Sequence, residues 1–157
     1  MRLVIQRVKK ASITVEQNPP LGMGRGIVVL FAASELDEDG HWEEFVRKLA
    51  SKTANLRIFP DDNNKMNLSA IELGLSVMVV SQFTLYACTK KGNRPSFAAA
   101  AKPPFAKELY DLYVKTLRQY EFKEFLTGEF GAMMEIELVN EGPVTIIMDT
   151  GEWENSR

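Results

Sequence analysis

Residues 75–86, LSVMVVSQFTLY, form the longest strand candidate in the chain, so the prediction of the fold starts from them. The first half is apolar, whereas the second half carries Ser81, Gln82 and Thr84. Side chains alternate between the two faces of a strand, so polar groups fall on both faces, which is unusual in a central strand. Two interpretations stay open. In the first, Thr84 is present because threonine favours strands, and Ser81 and Gln82 form hydrogen bonds with neighbouring backbone groups. In the second, the segment forms a functional site.

Other apolar or alternating segments predict the remaining strands of the sheet. A short basic turn at Lys9 and Lys10 separates the first two strands, and residues 17–26 are loop material before the third. A second loop covers residues 89–96, and residues 140–143, NEGP, interrupt the last two strands. The predicted strands are LVIQRV (3–8), ASITVE (11–16), GIVVLFAA (26–33), LRIF (56–59), MMEIELV (133–139) and VTIIMDT (144–150).

Two segments have the three- and four-residue spacing of amphipathic helices. One runs from Asp39 onward, and Pro103 and Pro104 open the other, because proline is tolerated in a first turn. Together with the strands they predict an α+β (mixed α/β) fold, a curled, barrel-like β-sheet with two amphipathic helices packed on it. The predicted buried faces are Trp42, Phe45, Val46, Leu49 and Thr53 in the first helix, and Phe105, Leu109, Leu112, Tyr113, Leu117 and Tyr120 in the second.

The length, composition and charge of the chain limit the number of domains and the classes of protein to which it can belong. With 157 residues and 45% hydrophobic residues, it can bury one core, and we expect a single domain over residues 1–150 with a frayed C-terminal tail over residues 151–157. The net charge of -2 argues against a protein that coats nucleic acid by bulk electrostatics, although local basic clusters could hold a few phosphates. Without an 18-residue apolar span or a signal-peptide core, we expect a soluble cytoplasmic protein with no membrane partner.

The single histidine and the single cysteine argue against several site classes. One of each cannot supply a zinc site built from several such ligands within a protomer, so we expect no metal. His41 stands at an acidic entry to a helix and is predicted to be a solvent-facing first-turn residue. Cys88 is predicted to be a small residue packed at a strand end, because no base for a nucleophile is evident.

The dipeptide Gly142–Pro143 lies between two apolar strands. Proline lacks an N–H group and interrupts a ladder, so this pair either makes a tight connection or presents its carbonyl groups outward. Most X-Pro bonds are trans, and the sequence alone does not assign the isomer here.

Segments spread across nearly the full chain resemble the D-aminoacyl-tRNA deacylases, the D-tyrosyl-tRNA deacylase family. SQFTLY and GPVT correspond to the two signature regions of that family. The chain departs from the family pattern at Glu141, where aspartate is usual, at Cys88, where an acidic residue is usual, and in the loop QNPPLG. The matching segments, in order, are LVIQRV, NLRIF with KMNLS, VVSQFTLYA, KGNRPSF, FGAMM and NEGPVT.

The resemblance implies a homodimeric enzyme without a cofactor. It would hydrolyse the ester between a D-amino acid and the terminal adenosine of tRNA, and it would also remove glycine from mischarged tRNA. The resemblance places the pocket beside the SQFT segment, with a cis Gly-Pro element reaching in from the partner subunit. The implied site residues are Ser81, Gln82, Phe83 and Thr84, with Gly142 and Pro143 in trans, Arg7 as the brace of the Gly-Pro element, and Phe130 near the pocket.

Rejection of L-aminoacyl-tRNA needs more than an apolar wall. Four decades of discrimination correspond to ~5.4 kcal/mol, whereas forcing a side chain into an adaptable pocket costs only about 1 to 3 kcal/mol. Backbone carbonyl groups with fixed dihedrals could bind the substrate ammonium, so that a misplaced chiral centre loses charge-assisted hydrogen bonds. Glycine allows close approach and proline restricts the backbone, so Gly142 and Pro143 suit this task. Such a filter cannot refuse glycine, which has no side chain.

Catalysis has two candidate mechanisms. Thr84 could be an acyl-accepting nucleophile, but no activating base is evident at a fixed spacing. The favoured hypothesis is that backbone N–H groups around Phe83 and Thr84 stabilise an oxyanion while the 2′-hydroxyl of the tRNA helps to activate water.

The basic loop after the signature segment is the predicted tRNA contact. Lys90, Lys91 and Arg94 offer positive charge to phosphates near the acceptor end, although a solvated loop would have the same composition. Two other protein classes stay open. One is an RNA-binding module without catalysis, and the other is a structural dimerisation domain in which SQFT is ordinary packing.

Overall fold

A computed structural model of the protein describes residues 1–39 and 41–154. Within these ranges the chain forms eight strands, three α-helices and two 3₁₀ helices. The strands are β1 (Arg2–Val15), β2 (Leu21–Met23), β3 (Gly26–Ala32), β4 (Phe59–Pro60), β5 (Met66–Leu68), β6 (Ser76–Ser81), β7 (Phe125–Thr127) and β8 (Met134–Asp149). The helices are α1 (Trp42–Ala54), α2 (Phe105–Leu117) and α3 (Thr150–Glu154), with 3₁₀ helices at Glu35–Asp39 and Phe83–Tyr86.

The main sheet has six strands and curls into a barrel-like shape. Its order is β2-β1-β3-β6-β7, and β8 pairs with the other edge of β1. The pairs that involve β1 are antiparallel, whereas β6 runs parallel to both β3 and β7. β4 and β5 form a separate two-stranded sheet. The predicted fold class, a barrel-like sheet in an α+β domain, is confirmed.

The parallel pair β3–β6 is buried on both faces, which explains its unbroken apolar sequence. Val29 and Val79 belong to the core cluster that lies under α1 and α2, whereas Val28 and Val80 belong to the cluster on the opposite face. Both predicted helices are present. The residues at the centres of their predicted inner faces are fully or nearly fully buried, namely Val46, Leu49 and Thr53 in α1 and Leu109, Tyr113 and Leu117 in α2.

Two predicted breaks in strands are wrong, because each strand continues through the polar residues. β1 passes Lys9 and Lys10 without a turn and pairs with β8 along nearly its whole length. The register between β1 and β8 shifts between Gln6 and Val8 and again between Val8 and Lys10. Such β-bulges let a strand continue where the alternation of its side chains is interrupted. β8 likewise runs through residues 140–143, which were predicted to interrupt it.

The strand predicted over residues 75–86 ends early. Ser81 is the last residue of β6, and Phe83–Tyr86 form a 3₁₀ helix. The reason is that β3 ends at Ala32, so the last bond to that neighbour is the one that the Gln82 N–H donates to the Phe31 carbonyl, at 2.7 Å. The two-faced alternation expected for Ser81, Gln82 and Thr84 is therefore wrong.

Three shorter segments also differ from the prediction. The loop over residues 17–26 contains β2, and the first amphipathic helix begins at Trp42. His41 stands at the N-cap position of α1 and is exposed. The C-terminal tail begins as a helix, in which Trp153 packs at 6.3 Å from the Phe45 ring, whereas residues 155–157 lie outside the described ranges.

Candidate functional site

An apolar cavity lies at the carboxyl ends of β3 and β6. Its volume is about 710 Å³, and its walls come from these two strands, the start of α2 and the segment before β8. Within the described part of the chain, Lys102 is the one charged residue among those that line it. A mostly apolar cavity with a few polar groups at one side is the usual form of a small-molecule site. The lining includes Ser81, Gln82, Phe83, Phe97, Ala100, Phe130 and Met133.

The 3₁₀ helix Phe83–Tyr86 places backbone donors beside this cavity. Its first turn is closed by the N–H of Leu85, which donates to the Gln82 carbonyl at 3.2 Å. The N–H groups of Phe83 and Thr84 precede that bond, so the helix offers them no partner of its own. The Gln82 side chain donates to the Thr84 hydroxyl, with 2.5 Å between Nε2 and Oγ1. The turn therefore presents main-chain donors, while the Thr84 hydroxyl is engaged locally.

Arg2 holds the far end of this turn, a role that sequence analysis missed. Its Nη1 donates to the Leu85 carbonyl at 2.8 Å, and its guanidinium pairs with Asp149 at 2.7 Å. The guanidinium carbon also lies 4.8 Å from the centre of the Tyr86 ring. Burial, together with the nearby carboxylates of Asp149 and Asp37, raises the pKa of Tyr86. Arg2 thus ties the turn to the ends of β1 and β8.

Aromatic rings form two parts of the cavity wall. Phe83, which is 57% exposed, meets the ring of Phe97 edge to face at 5.2 Å. Phe130 lies 5.9 Å from the ring of Tyr110, whose hydroxyl donates to the Val79 carbonyl at 3.0 Å. Burial raises the pKa of Tyr110 to about 12, so its hydroxyl stays protonated and keeps this bond at neutral pH. The structure thus places Phe130 in the wall.

The second predicted site segment, Gly142–Pro143, is exposed on β8. Its peptide bond is cis, and Gly142 has a φ of +124°, a conformation that side chains rarely allow. A Cβ on Gly142 would lie 2.9 Å from Nη2 of Arg7. Arg7 in turn donates to the carbonyl of Glu141 at 3.1 Å and to the carbonyl of Ile58 at 2.5 Å. The absence of a side chain at 142 lets the guanidinium pack directly against the main chain.

A second arginine holds the same segment through a side chain. Arg25 makes a bidentate ion pair with Glu141, in which Nε and Nη2 each lie 2.9 Å from a carboxylate oxygen. The hydrogen bonds from Arg25 lower the pKa of the Glu141 carboxyl, against burial, which raises it, and Arg7 and Lys9 add to the lowering. Both guanidinium groups lie over the ring of Phe59, at 6.0 Å for Arg7 and 5.2 Å for Arg25.

The predicted site residues fall into separate groups within one protomer. The cavity is lined by Ser81, Gln82, Phe83 and Phe130, and Thr84 follows in the adjoining turn. Residues outside the cavity lining include Gly142 and Pro143 in the middle of β8, Arg7 on β1, and Lys90, Lys91 and Arg94 in an exposed loop.

The prediction for Cys88 is wrong, and Lys102 was not predicted as a site residue. Cys88 is exposed rather than packed, because its backbone pairs with Ser96 across the loop and turns the side chain outward. Lys102 stands in the cavity wall, directly before the two prolines that precede α2. The two prolines predict where the helix begins, but they give no information on whether the residue before them faces a cavity.

Among the described residues, no three side chains of histidine, cysteine, aspartate or glutamate come together as a group that could hold a metal ion. No helix in the described ranges has the length and hydropathy needed to cross a bilayer.

Solved structures with this fold include two that cover nearly the whole chain. One is described as c-Myc DNA Unwinding Element Binding Protein, with a TM-score of 0.83, 37% identity and coverage of 95% of this chain and 98% of that one. The other, described as a probable eukaryotic D-amino acid tRNA deacylase, has a TM-score of 0.83 at 19% identity, over 94% of this chain and 98% of that one. At that identity the second likeness concerns the fold alone.

Curated relatives match over their whole length. A D-aminoacyl-tRNA deacylase of Halothermothrix orenii is 47% identical over 97% of this chain and 99% of its own. One of Akkermansia muciniphila is 49% identical over 98% of this chain and 100% of its own. The model of the family described as D-Tyr-tRNA(Tyr) deacylase matches residues 4–149, which confirms the resemblance predicted from the motifs. The chain belongs to the D-Tyr-tRNA(Tyr) deacylase family.

Proposed function

We propose that the protein is a cytoplasmic D-aminoacyl-tRNA deacylase, which hydrolyses the ester between a D-amino acid and the terminal adenosine of tRNA. The observation that carries this proposal is the apolar cavity of about 710 Å³ flanked by the Phe83–Tyr86 turn. The cavity can hold the aminoacyl group and part of the nucleoside, and the turn brings main-chain donors to its edge. Full-length relatives described as D-aminoacyl-tRNA deacylases support the same substrate class.

The N–H groups of Phe83 and Thr84 are the proposed oxyanion donors. Hydrolysis of an ester passes through a tetrahedral intermediate whose oxygen carries negative charge, and preorganised N–H groups stabilise that charge. Because these two groups have no partner within the turn, they can bind the oxyanion without breaking a bond of the protein. The 2′-hydroxyl of the terminal adenosine is then the group proposed to help activate the water. Thr84 is not assigned as a nucleophile, since its hydroxyl accepts a bond from Gln82.

Chiral selection is proposed to depend on Gly142 and Pro143 of a partner subunit in a homodimer. Within one protomer these residues are exposed and stand apart from the cavity lining, so a partner is needed to bring them to it. Exposed apolar side chains support an assembly along β8. Met133 at the cavity is 81% exposed, and Ile147 and Val139 on the strand are 65% and 41% exposed. Glycine passes the filter because it has no side chain to refuse.

The polynucleotide is proposed to approach from the side of the basic loop. Lys90, Lys91 and Arg94 are exposed there, and Lys102 adds a positive charge in the cavity wall itself. Positive charges of this kind position a phosphate backbone without reading its sequence. The aminoacyl ammonium would be repelled by Lys102, so we place the phosphate end of the substrate near this residue and the amino group away from it.

The decisive experiment compares three matched substrates. Purified protein is incubated with D-aminoacyl-tRNA, L-aminoacyl-tRNA and glycyl-tRNA, and loss of the ester is followed over time. We expect hydrolysis of the D-ester and the glycyl ester and retention of the L-ester. An Arg47→Ala variant, changed on the exposed face of α1, serves as the control and should behave like the wild type.

Each other outcome contradicts the proposal in a distinct way. If no ester is hydrolysed while tRNA still binds, the protein is an RNA-binding module. If tRNA does not bind either, the structural dimerisation role is favoured. If the D- and L-esters are hydrolysed equally, the enzyme is a deacylase without the chiral filter.

A further inference from the structure

We propose that the ion pair between Arg25 and Glu141 is a positioning device that sets the discrimination between D- and L-substrates. The inference rests on the proposed function and extends it to Arg25, a residue outside both signature segments. Its basis is the geometry that connects the parallel strands β3 and β6 to the main chain at Gly142.

The backbone of Arg25 is held in place by its hydrogen bond to β6. The N–H of Ser76 donates to the Arg25 carbonyl at 3.1 Å, at the point where β3 and β6 begin to pair. The next residue, Gly26, lies so close to β6 that an added Cβ would overlap the Ser76 carbonyl oxygen. The guanidinium of Arg25 therefore extends from one of the most closely packed points of the sheet.

The side chain of Arg25 carries this anchoring to the Gly-Pro segment, which we define as residues 141–143. Both of its bonds to Glu141 are 2.9 Å long, and a bidentate arginine–carboxylate pair fixes orientation as well as distance. The pair is partly shielded, with 39% of the Arg25 side chain and 19% of the Glu141 side chain exposed. The ring of Phe59 lies under the guanidinium at 5.2 Å and limits its movement.

Glu141 is thereby held at two points by two different arginines. Arg25 binds its side chain, and Arg7 binds its carbonyl oxygen at 3.1 Å. Asn140 and Thr145 pair with β1 on either side, whereas residues 141–144 have no partner in that register. The two arginine contacts therefore add restraints where the strand pairing supplies none, directly before Gly142.

The length of the glutamate side chain is part of the device. Aspartate at position 141 would be one methylene shorter and would hold its carboxylate closer to the main chain of β8. The backbone of Arg25 is fixed by its bond to Ser76, so only its side chain could follow a shortened carboxylate, and that movement would draw the guanidinium away from the Phe59 ring. We therefore expect the bidentate pair to depend on glutamate at this position in this chain.

The test measures kcat/KM for D- and L-aminoacyl-tRNA in Arg25→Lys, Arg25→Ala and Glu141→Asp variants. We expect each variant to lower the D-to-L ratio by about tenfold, mainly because hydrolysis of the L-ester increases, since lysine cannot form a bidentate pair. The matched control is Lys107→Ala, which removes an exposed ion pair with Asp111 on α2 and should keep the wild-type ratio.

A purely structural role predicts a different result. It would lower the unfolding temperature and reduce hydrolysis of both esters in proportion, leaving the D-to-L ratio unchanged, and that outcome would overturn the positioning role. Arg25→Lys keeps the positive charge, so it tests the geometry even if Arg25→Ala does not fold. Failure of the wild type to hydrolyse the D-ester overturns the proposed function itself, which separates the two failures.

Discussion

The turn that follows β6 and the Gly-Pro segment of β8 are both surface features, but the protein holds them in different ways. The turn borders an apolar cavity, and the ring of its first residue, Phe83, packs edge to face on Phe97 from outside the turn. The Gly-Pro segment is held by charged side chains, with Arg7 on a main-chain carbonyl and Arg25 on the Glu141 carboxylate. One region is shaped by apolar packing and the other by directed hydrogen bonds.

This difference fits the two tasks that the proposed enzyme has to perform. An apolar wall adapts to side chains of different size, because repacking costs only about 1 to 3 kcal/mol. Discrimination of four decades needs ~5.4 kcal/mol, so it requires an element that does not relax. A main chain fixed by two arginines is such an element, whereas the cavity wall is suited to accept varied amino acids.

The two regions share one structural support, the parallel pair β3–β6. The pair begins where Gly26 meets Ser76, next to Arg25, and it ends where Phe31 meets Ser81, in the cavity wall. Disturbing the start of this strand pair should therefore affect both regions at once. A change within one region should alter the properties of that region and leave the other region as in the wild type.

The largest expected effect is that of Gly26→Ala. A Cβ at this position would overlap the Ser76 carbonyl oxygen, so the two strands would have to move apart. We expect the free energy of unfolding to fall by about 3 kcal/mol or more, measured by urea denaturation. The control is Gly24→Ala, where a Cβ has no heavy atom within 4 Å. Equal stability of the two variants would show that the strands are not joined in this way.

Gly142→Ala should damage the Gly-Pro segment and leave the cavity in place. The residue has a φ of +124°, and its new Cβ would lie 2.9 Å from Arg7 and 2.9 Å from Val144. We expect a loss of about 1 to 3 kcal/mol in stability and, in the same deacylation assay, a clear fall in the D-to-L ratio.

A glycine elsewhere provides the control for that variant. Gly74 also has a positive φ, +58°, but no heavy atom lies within 4 Å of its Cβ position. Gly74→Ala should therefore lower stability through backbone strain while the D-to-L ratio stays at the wild-type value. A preserved ratio in Gly142→Ala as well would remove the Gly-Pro segment from chiral selection.

Much of the fold could be predicted from the sequence, because periodic apolar patterns are local. The centres of both predicted helix faces are buried, whereas five of the predicted residues are half-buried against the same core, and Tyr120 lies beyond the end of α2. The half-buried residues are Trp42, Phe45, Phe105, Leu112 and Tyr120. Predictions failed where a neighbouring strand decided the outcome. Lys9 and Lys10 look like a turn, yet β1 continues there because β8 pairs with it, and β2 and β7 are three residues long, too short for a periodic signal.

The candidate site shows the same division. The cavity segment and the Gly-Pro segment could be predicted as site segments because each is a contiguous motif. Arg25 could not be found in this way, since it meets Glu141 across 116 residues of sequence. Lys102 reaches the cavity wall only because the segment before α2 folds against β3 and β6.

A smaller effect, on tRNA affinity, is expected from removing the basic loop charges together. In a Lys90→Ala, Lys91→Ala, Arg94→Ala variant, the slope of log affinity against log salt should become shallower by about 2, because up to three phosphate contacts are lost at ~0.7 each. A triple variant at Lys107, Lys115 and Lys123, which lie outside the loop, controls for net charge. Unchanged affinity in the loop variant would mean that the loop is merely solvated.

The smallest effect is expected from Thr84→Ala, and it tests how the cavity turn works. The hydroxyl of Thr84 accepts a bond from Gln82 at 2.5 Å, and the residue is not among those that line the cavity. The variant keeps the N–H groups that are the proposed oxyanion donors, so kcat on D-aminoacyl-tRNA should stay within about tenfold of the wild type.

Loss of turnover with tRNA binding intact would instead assign Thr84 as the nucleophile, and the wild type should then accumulate an acyl-enzyme that mass spectrometry detects as added mass on the protein. That result would also mean that the two regions act on the substrate in different ways. Side-chain chemistry would then do the work at the turn, whereas the main chain would matter only at the Gly-Pro segment. Retained turnover without an acyl-enzyme means that both regions act on the substrate through their main chains, one through N–H donors and the other through carbonyl acceptors.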